Sequence, residues 1–181
     1  PAGYRGVTHI LLNVDEELME NYTTLRDTLE EQQSATQTDV ENPVTQEQVD
    51  AAYQAIMDSV QPTIDEIMAK FESGTPFAEL IEEYGNDPGM NTEPNKSEGY
   101  AVHADSILWD SAFVEAAMAL EKVGDVSEPI LGSYGIHLLH YLRDIPGGAI
   151  ELTEEIRAQL KEELASEKET SAVSEMVPSW R

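Results

Sequence analysis

The alternation of apolar and polar positions changes period several times along the chain, and each change marks an element. Val7-Thr8-His9-Ile10-Leu11-Leu12-Asn13 is a β-branched, apolar run of strand length. Alternation puts Val7, His9 and Leu11 on one face and Thr8, Ile10 and Leu12 on the other. Both faces are largely apolar, which predicts a central strand. From Asp15 the spacing becomes helical: Leu18, Tyr22, Leu25 and Leu29 recur with acidic residues between them, and the helix is expected to run to about Gln33. Ser34 to Asn42 is polar and reads as a loop. Thr45 and Gln48 form a capping-box pattern that opens a second helix, with Val49, Tyr53, Ile56 and Val60 as its stripe. Pro62 is expected to kink or restart that helix. Ile64, Ile67, Met68 and Phe71 continue the stripe until Gly74 stops it. Two facing stripes joined by a short loop predict an antiparallel helical hairpin.

Further along, Thr75-Pro76 reads as an N-cap and first-turn proline before a short helix with Phe77, Leu80, Ile81 and Tyr84 inward. Residues 85–97 are rich in Gly, Asn, Pro and Asp and read as a loop. Gly99 to His103 reads as a short strand, and Asp110 caps a compact helix carrying Phe113, Ala117 and Leu120. Val126 to Leu131 is extended, Gly132 to Gly135 is a tight turn, and Ile136 to Leu142 is the second clear strand. Pro146-Gly147-Gly148 is a linker before an acidic helix opened by Thr153. The order predicts an α+β fold, a small antiparallel or mixed sheet with surrounding helices.

Composition narrows the functions. With 36 acidic and 10 basic residues the net charge is −26, which would repel a phosphate backbone and disfavours nucleic acid and anionic membrane surfaces as partners. The absence of cysteine excludes disulfides, thiolate nucleophiles and Cys-based zinc sites. No apolar run approaches the roughly 20 residues of a membrane span, so direct membrane insertion of this segment is not expected. No metal or other cofactor is expected. His137 and His140 lie three apart on a strand and face opposite ways, and residues 85–98 lack the calcium-loop pattern with its central Gly. His103 is expected to be exposed to solvent.

Six blocks in order resemble the parvulin-type peptidyl-prolyl isomerases. Val7 to Leu12 is similar to the family's opening strand with its His, and Gly74 to Leu80 to its Gly-x-x-Phe-x-x-Leu helix entry. Tyr84-Gly85-Asn86-Asp87 resembles the segment that ends that helix. Phe113 to Leu120, Gly124 to Ile130 and Gly135 to Leu139 resemble the Phe-x-x-Ala-x-x-x-Leu helix, the Gly-Asp-Val-Ser-x-Pro segment and the final His-bearing strand. The likeness is nearest to extracytoplasmic foldases of clostridial-type Gram-positive bacteria, which implies a secreted or lipid-anchored full-length protein whose anchor lies outside this chain. It also implies a division into a parvulin-like domain of residues 5–14 and 61–145, a helical hairpin insertion of 15–60, and a C-terminal segment of 146–181 belonging to a flanking chaperone domain.

The resemblance implies an active centre of His9, Asp87 and His137, a proline pocket lined by Trp109 and Phe113 with Leu139 and Tyr134 as further substrate contacts, and unfolded or extended proline-containing polypeptides as partners. Three departures bear on rate. Gly132 stands where many members carry a Thr that bonds the histidines, Tyr134 replaces a small polar residue, and a Gly-rich signature is reduced to Glu98-Gly99-Tyr100. They predict a less supported histidine pair and weak activity, with a non-catalytic holding module as the alternative function.

Overall fold

The computed structural model describes residues 3–34 and 42–147, and Arg157 singly beyond them. The expected helix after Thr153 and most of the loop after Ser34 lie outside the described residues. Strand β1 (Tyr4–Leu12) is followed by α1 (Glu16–Ser34), α2 (Gln46–Glu72), α3 (Phe77–Tyr84), α4 (Asn95–Glu98), β2 (Tyr100–Val102), α5 (Ser111–Ala119), β3 (Ile130–Gly132) and β4 (Gly135–Ile145). The four strands form one sheet in the order β2-β1-β4-β3, antiparallel at every pairing. β1 is an interior strand, as its two apolar faces require. Gly135 opens β4 at φ +137, and a Cβ there would run into the Leu12 carbonyl, so the two-residue turn at Ser133-Tyr134 closes only with glycine.

The two faces of the sheet are covered by different helices. Ile10, Leu12, Ile136 and Leu138 pack on one side against Ile56, Val60, Ile64 and Ile67 of α2 and Phe77, Leu80 and Ile81 of α3. Val7, Leu139 and Tyr141 pack on the other against Phe113, Val114 and Ala117 of α5, with Leu120 just beyond its end. Each fully buried aliphatic side chain contributes about 1.5–3 kcal/mol. Arg5 on β1 locks α5 in place: its guanidinium donates to the carbonyls of Ala117, Met118 and Leu120 at 2.9, 3.1 and 2.6 Å, and lies 4.6 Å over the Tyr141 ring. A cation at a helix C-terminus meets both the unpaired carbonyls and the dipole.

The local signals hold with few changes. Asp15 accepts from the backbone N–H groups of Glu17 and Leu18 at the start of α1, and Gln48 Oε1 accepts from the Thr45 N–H at 2.9 Å. Pro62 neither stops nor restarts α2, which runs unbroken for 27 residues. A proline removes one intrahelical bond, and here Val60, Ile64 and Ile67 stay buried on either side of it, so tertiary packing outweighs the loss. The expected division between residues 60 and 61 therefore falls inside a helix. Pro76 takes the N-cap position rather than the first turn of α3, and the loop after Gly85 contains the short α4. His103 is half-buried, stacked on Tyr4 with ring centres 4.8 Å apart.

Candidate active site

His9 and His137 reach the same side of the sheet because β1 and β4 pair antiparallel, with Leu11 opposite His137 and His9 opposite Leu139. The rings lie diagonally across the two strands, stacked with centres 5.0 Å apart, and their Nδ1 atoms are 2.9 Å from each other. Asp87 comes from the segment after α3. That segment is stapled to the end of β1: the backbone N–H of Asn86 and its side-chain Nδ2 both donate to the Leu11 carbonyl, at 2.9 and 3.1 Å. Two residues earlier on β1 is His9, whose Nε2 lies 2.8 Å from Asp87 Oδ2. The Tyr100 hydroxyl donates to the same oxygen at 2.8 Å, and the Gly89 N–H donates to Oδ1 at 2.8 Å.

This network orients itself from the carboxylate. Ionised Asp87 only accepts, so His9 carries its proton on Nε2 and its Nδ1 is a lone pair. His137 must then donate from Nδ1, which leaves its own Nε2 as an acceptor. Burial lowers the pKa of His9, and Asp87 offsets this only in part. Burial, with His9 beside it, lowers that of His137 to about 4. Both rings are neutral near pH 7, and the His9–Asp87 contact is a hydrogen bond rather than an ion pair. Burial pushes the Asp87 carboxyl up, but the bonds from His9, Tyr100 and Gly89 together outweigh it and hold it below the usual carboxylate range. Tyr100 is held protonated by burial and by its bond to Asp87.

The histidines and Asp87 border a cavity of about 600 Å³. Its apolar wall is a run of rings: Tyr100 against Trp109 at 4.6 Å, Trp109 against Phe113 at 5.6 Å, and Phe113 edge-on to both histidines at 5.5 Å. Asp110 holds the start of α5 by accepting from the Ala112 N–H, and accepts from the Ser133 hydroxyl at 2.9 Å, so α5 and the β3–β4 turn are joined at the rim. Tyr134 lines the mouth and is 81% exposed. Leu139 does not reach the cavity: it is fully buried beneath α5, because that helix covers the end of the face on which Leu139 lies. Among the residues expected from the sequence, His9, Asp87, His137, Trp109, Phe113 and Tyr134 are brought together and Leu139 is not.

Two features were not legible as site elements. In the sequence Tyr100 stands only as part of a reduced glycine signature, although an aromatic beside Gly99 at the start of a short strand is the available signal. Gly132, in the sequence, marks a missing support. A Cβ at Gly132 would lie 2.7 Å from His137 Nε2, so the imidazole occupies the space a side chain would need. Tyr100, on the far side of Asp87, supplies a support that the sequence pattern did not.

A family model described as "Rotamase: PPIC-type PPIASE domain" matches residues 9–143, more than half of the 181-residue chain. Foldase protein PrsA of Clostridium kluyveri is 26% identical over 117 residues, which is 64% of this chain and 33% of that protein. Foldase protein PrsA of Halalkalibacterium halodurans is 32% identical over 122 residues, 67% of this chain and 34% of that protein. Among solved structures, the crystal structure of PrsA from Bacillus subtilis aligns at 20% identity with a TM-score of 0.43, covering 96% of this chain and 46% of that one. The chain thus spans about a third of the length of the curated relatives it matches. The matched span begins at His9 and takes in Asp87 and His137, and the chain belongs to the PPIC-type peptidyl-prolyl isomerase (rotamase) domain family.

Proposed function

We propose that this chain is a peptidyl-prolyl cis/trans isomerase domain that assists the folding of exported proteins, acting on unfolded chains through the cavity at His9, Asp87 and His137. The observation that carries the reading is a pair of hydrogen-bonded histidines, tied to a carboxylate, at the wall of an aromatic cavity. Rotation about an X–Pro bond meets a barrier of about 18–20 kcal/mol because amide resonance must be broken. A catalyst need only bind the twisted amide better than the planar one. The planar amide carries more charge separation, so removing it from water among Tyr100, Trp109 and Phe113 disfavours it relative to the twisted form. Asp87 adds to this: a carboxylate near the substrate oxygen repels the planar amide more, since that oxygen is then more negative. The histidines hold the shape of the floor and the polarity of the network, and no covalent step is required.

By the same reading residues 15–60 are an insertion into the isomerase domain, residues 146–181 belong to a flanking chaperone part, and the full-length protein works outside the cytoplasm, secreted or lipid-anchored. Leu108 and Tyr134, 87% and 81% exposed at the cavity mouth, favour a second reading in which the domain mainly holds polypeptide. A protease-coupled prolyl-peptide assay on wild type and on His9→Ala/His137→Ala separates the two. Isomerisation by the wild type that drops to background in the double variant is expected. Equal background rates in both proteins would refute catalysis, and suppression of client aggregation by both would then favour holding.

A further inference from the structure

Helix α1 runs for 19 residues and none of them is buried. A helix of this length in a folded domain draws most of its stability from burying one face. Here Leu18, Met19 and Tyr22 are only partly covered by the core of α2, α3 and the sheet. Beside Met19 and Tyr22 lies a second cavity of about 360 Å³, within the size range of ligand sites. Thr23 and Arg26 complete its α1 side, and Leu131 and Gly132 of β3 form part of the opposite side. Asp110 and Ser133 line this cavity and the aromatic one alike. The Ser133–Asp110 hydrogen bond at 2.9 Å is therefore a saddle between two adjoining depressions.

We propose that α1 is a peptide-binding element: a polypeptide held by its proline among Tyr100, Trp109 and Phe113 continues over the Asp110–Ser133 saddle and lies extended against Met19, Tyr22 and Thr23. This inference rests on the prolyl reading of the aromatic cavity. Continuity names the occupant, since a chain leaving the first cavity past this saddle enters the second. The chemistry suits a backbone with both donors and acceptors: Asp110 accepts, the Thr23 hydroxyl and the Arg26 guanidinium donate, and Met19, Tyr22 and Leu131 offer apolar surface. Charge selects further. α1 carries Glu16, Glu17, Glu20, Asp27, Glu30 and Glu31 against Arg26, whose guanidinium is bonded to Asp27 at 2.7 Å. The flank of the substrate that meets α1 is therefore neutral or basic, with apolar residues interspersed.

Two dye-labelled peptides test this by fluorescence anisotropy: one just spanning an Ala–Pro bond, the other lengthened at both ends with alternating Leu, Ser and Lys. The lengthened peptide is expected to bind wild type about tenfold more tightly. Thr23→Trp, which fills the second cavity, is expected to abolish that gain while leaving the affinity and isomerisation of the short peptide unchanged. In wild-type protein, lengthened peptides carrying a benzophenone near one end or the other are expected to label α1, a readout that does not depend on the variant folding. Equal affinity for both peptides, an equal loss for both in Thr23→Trp, or labelling of α1 by neither photoprobe overturns the proposal. A short peptide that binds but is not isomerised sinks the catalytic reading alone, and the length comparison still stands on affinity.

Discussion

The same two strands carry a hydrogen-bonded histidine on each face of the sheet, and the pair His9–His137 lines an open cavity. On one face His9 and His137 are bonded to each other and to Asp87, beside an open cavity. On the other, the Thr8 hydroxyl and His140 Nδ1 are 3.1 Å apart, and the imidazole stacks on Phe77 with centres 4.7 Å apart. Burial lowers the pKa of all three histidines, so neither burial nor a shifted pKa distinguishes the faces. What differs is the partner and the cavity that His9, His137 and Asp87 line. Asp87 sets the proton positions through two rings and leaves His137 Nε2 as an acceptor, whereas His140, itself partly exposed, is paired with Thr8 and packs against Phe71 of α2 and Phe77 of α3.

The comparison breaks most sharply under a crossed pair of substitutions. Asp87→Ala is expected to lower kcat/KM for a prolyl peptide on the order of 10²-fold, the scale seen when one oriented polar group is removed from a site. Thr8→Val is expected to leave kcat/KM within about twofold and to cost roughly 1 kcal/mol in chemical denaturation, the net worth of a buried hydrogen bond. A large activity loss in Thr8→Val would mean that both faces serve the chemistry. Gly132→Ala comes next. Its Cβ would sit 2.7 Å from His137 Nε2, and the imidazole must shift. A shift costing about 1.4 kcal/mol in the transition state lowers the rate about tenfold. Wild-type rates in Gly132→Ala, with an unchanged imidazole nitrogen spectrum by NMR, would show that the ring position is not critical.

The smallest effect expected is in stability against pH. His9 and His137 are lowered from the ordinary imidazole value of 6.5, His137 to about 4. Between those values the unfolded chain binds more protons than the folded one, so stability is full above the window and is lost as pH falls through it. The thermal unfolding midpoint should therefore decline from about pH 6.5 toward pH 4. His137→Asn should flatten part of that decline, and His140→Asn should flatten a separate part, since His140 is lowered by burial as well. A decline that His137→Asn leaves untouched would mean that His137 does not titrate in that window.

Much of this was legible before any packing was known. Period-two alternation places His9 on one face of its strand with Val7 and Leu11, and helical spacing from Asp15, with capping signals at Thr45 and Asp110, locates three helices to within a residue or two. Local rules suffice there because the hydrogen bonds they count lie within a few residues. Leu139 shows their limit: two residues from His137 it shares that face of the strand and is expected as a substrate contact, but the face is covered by α5 at one end and open at the other. Pro62 shows the opposite failure, since a local rule against proline was overridden by an apolar stripe that stays buried on both sides of it.

By itself, then, the sequence determined the two long strands and most of the helices, the α+β class and the excess of negative charge, while the likeness to a family pointed to the pair of histidines. Only the tertiary structure decided that Tyr100 completes the carboxylate network, that Gly132 makes room for His137, and that α1 borders a cavity sharing Asp110 and Ser133 with the aromatic one. Those outcomes join segments far apart in the chain, such as Asp87 to His9 across 78 positions and His137 to His9 across 128. They depend on how loops and helix ends are stapled to the sheet. No periodicity carries that information, because a period reports the face a side chain takes and not what the rest of the chain lays against it.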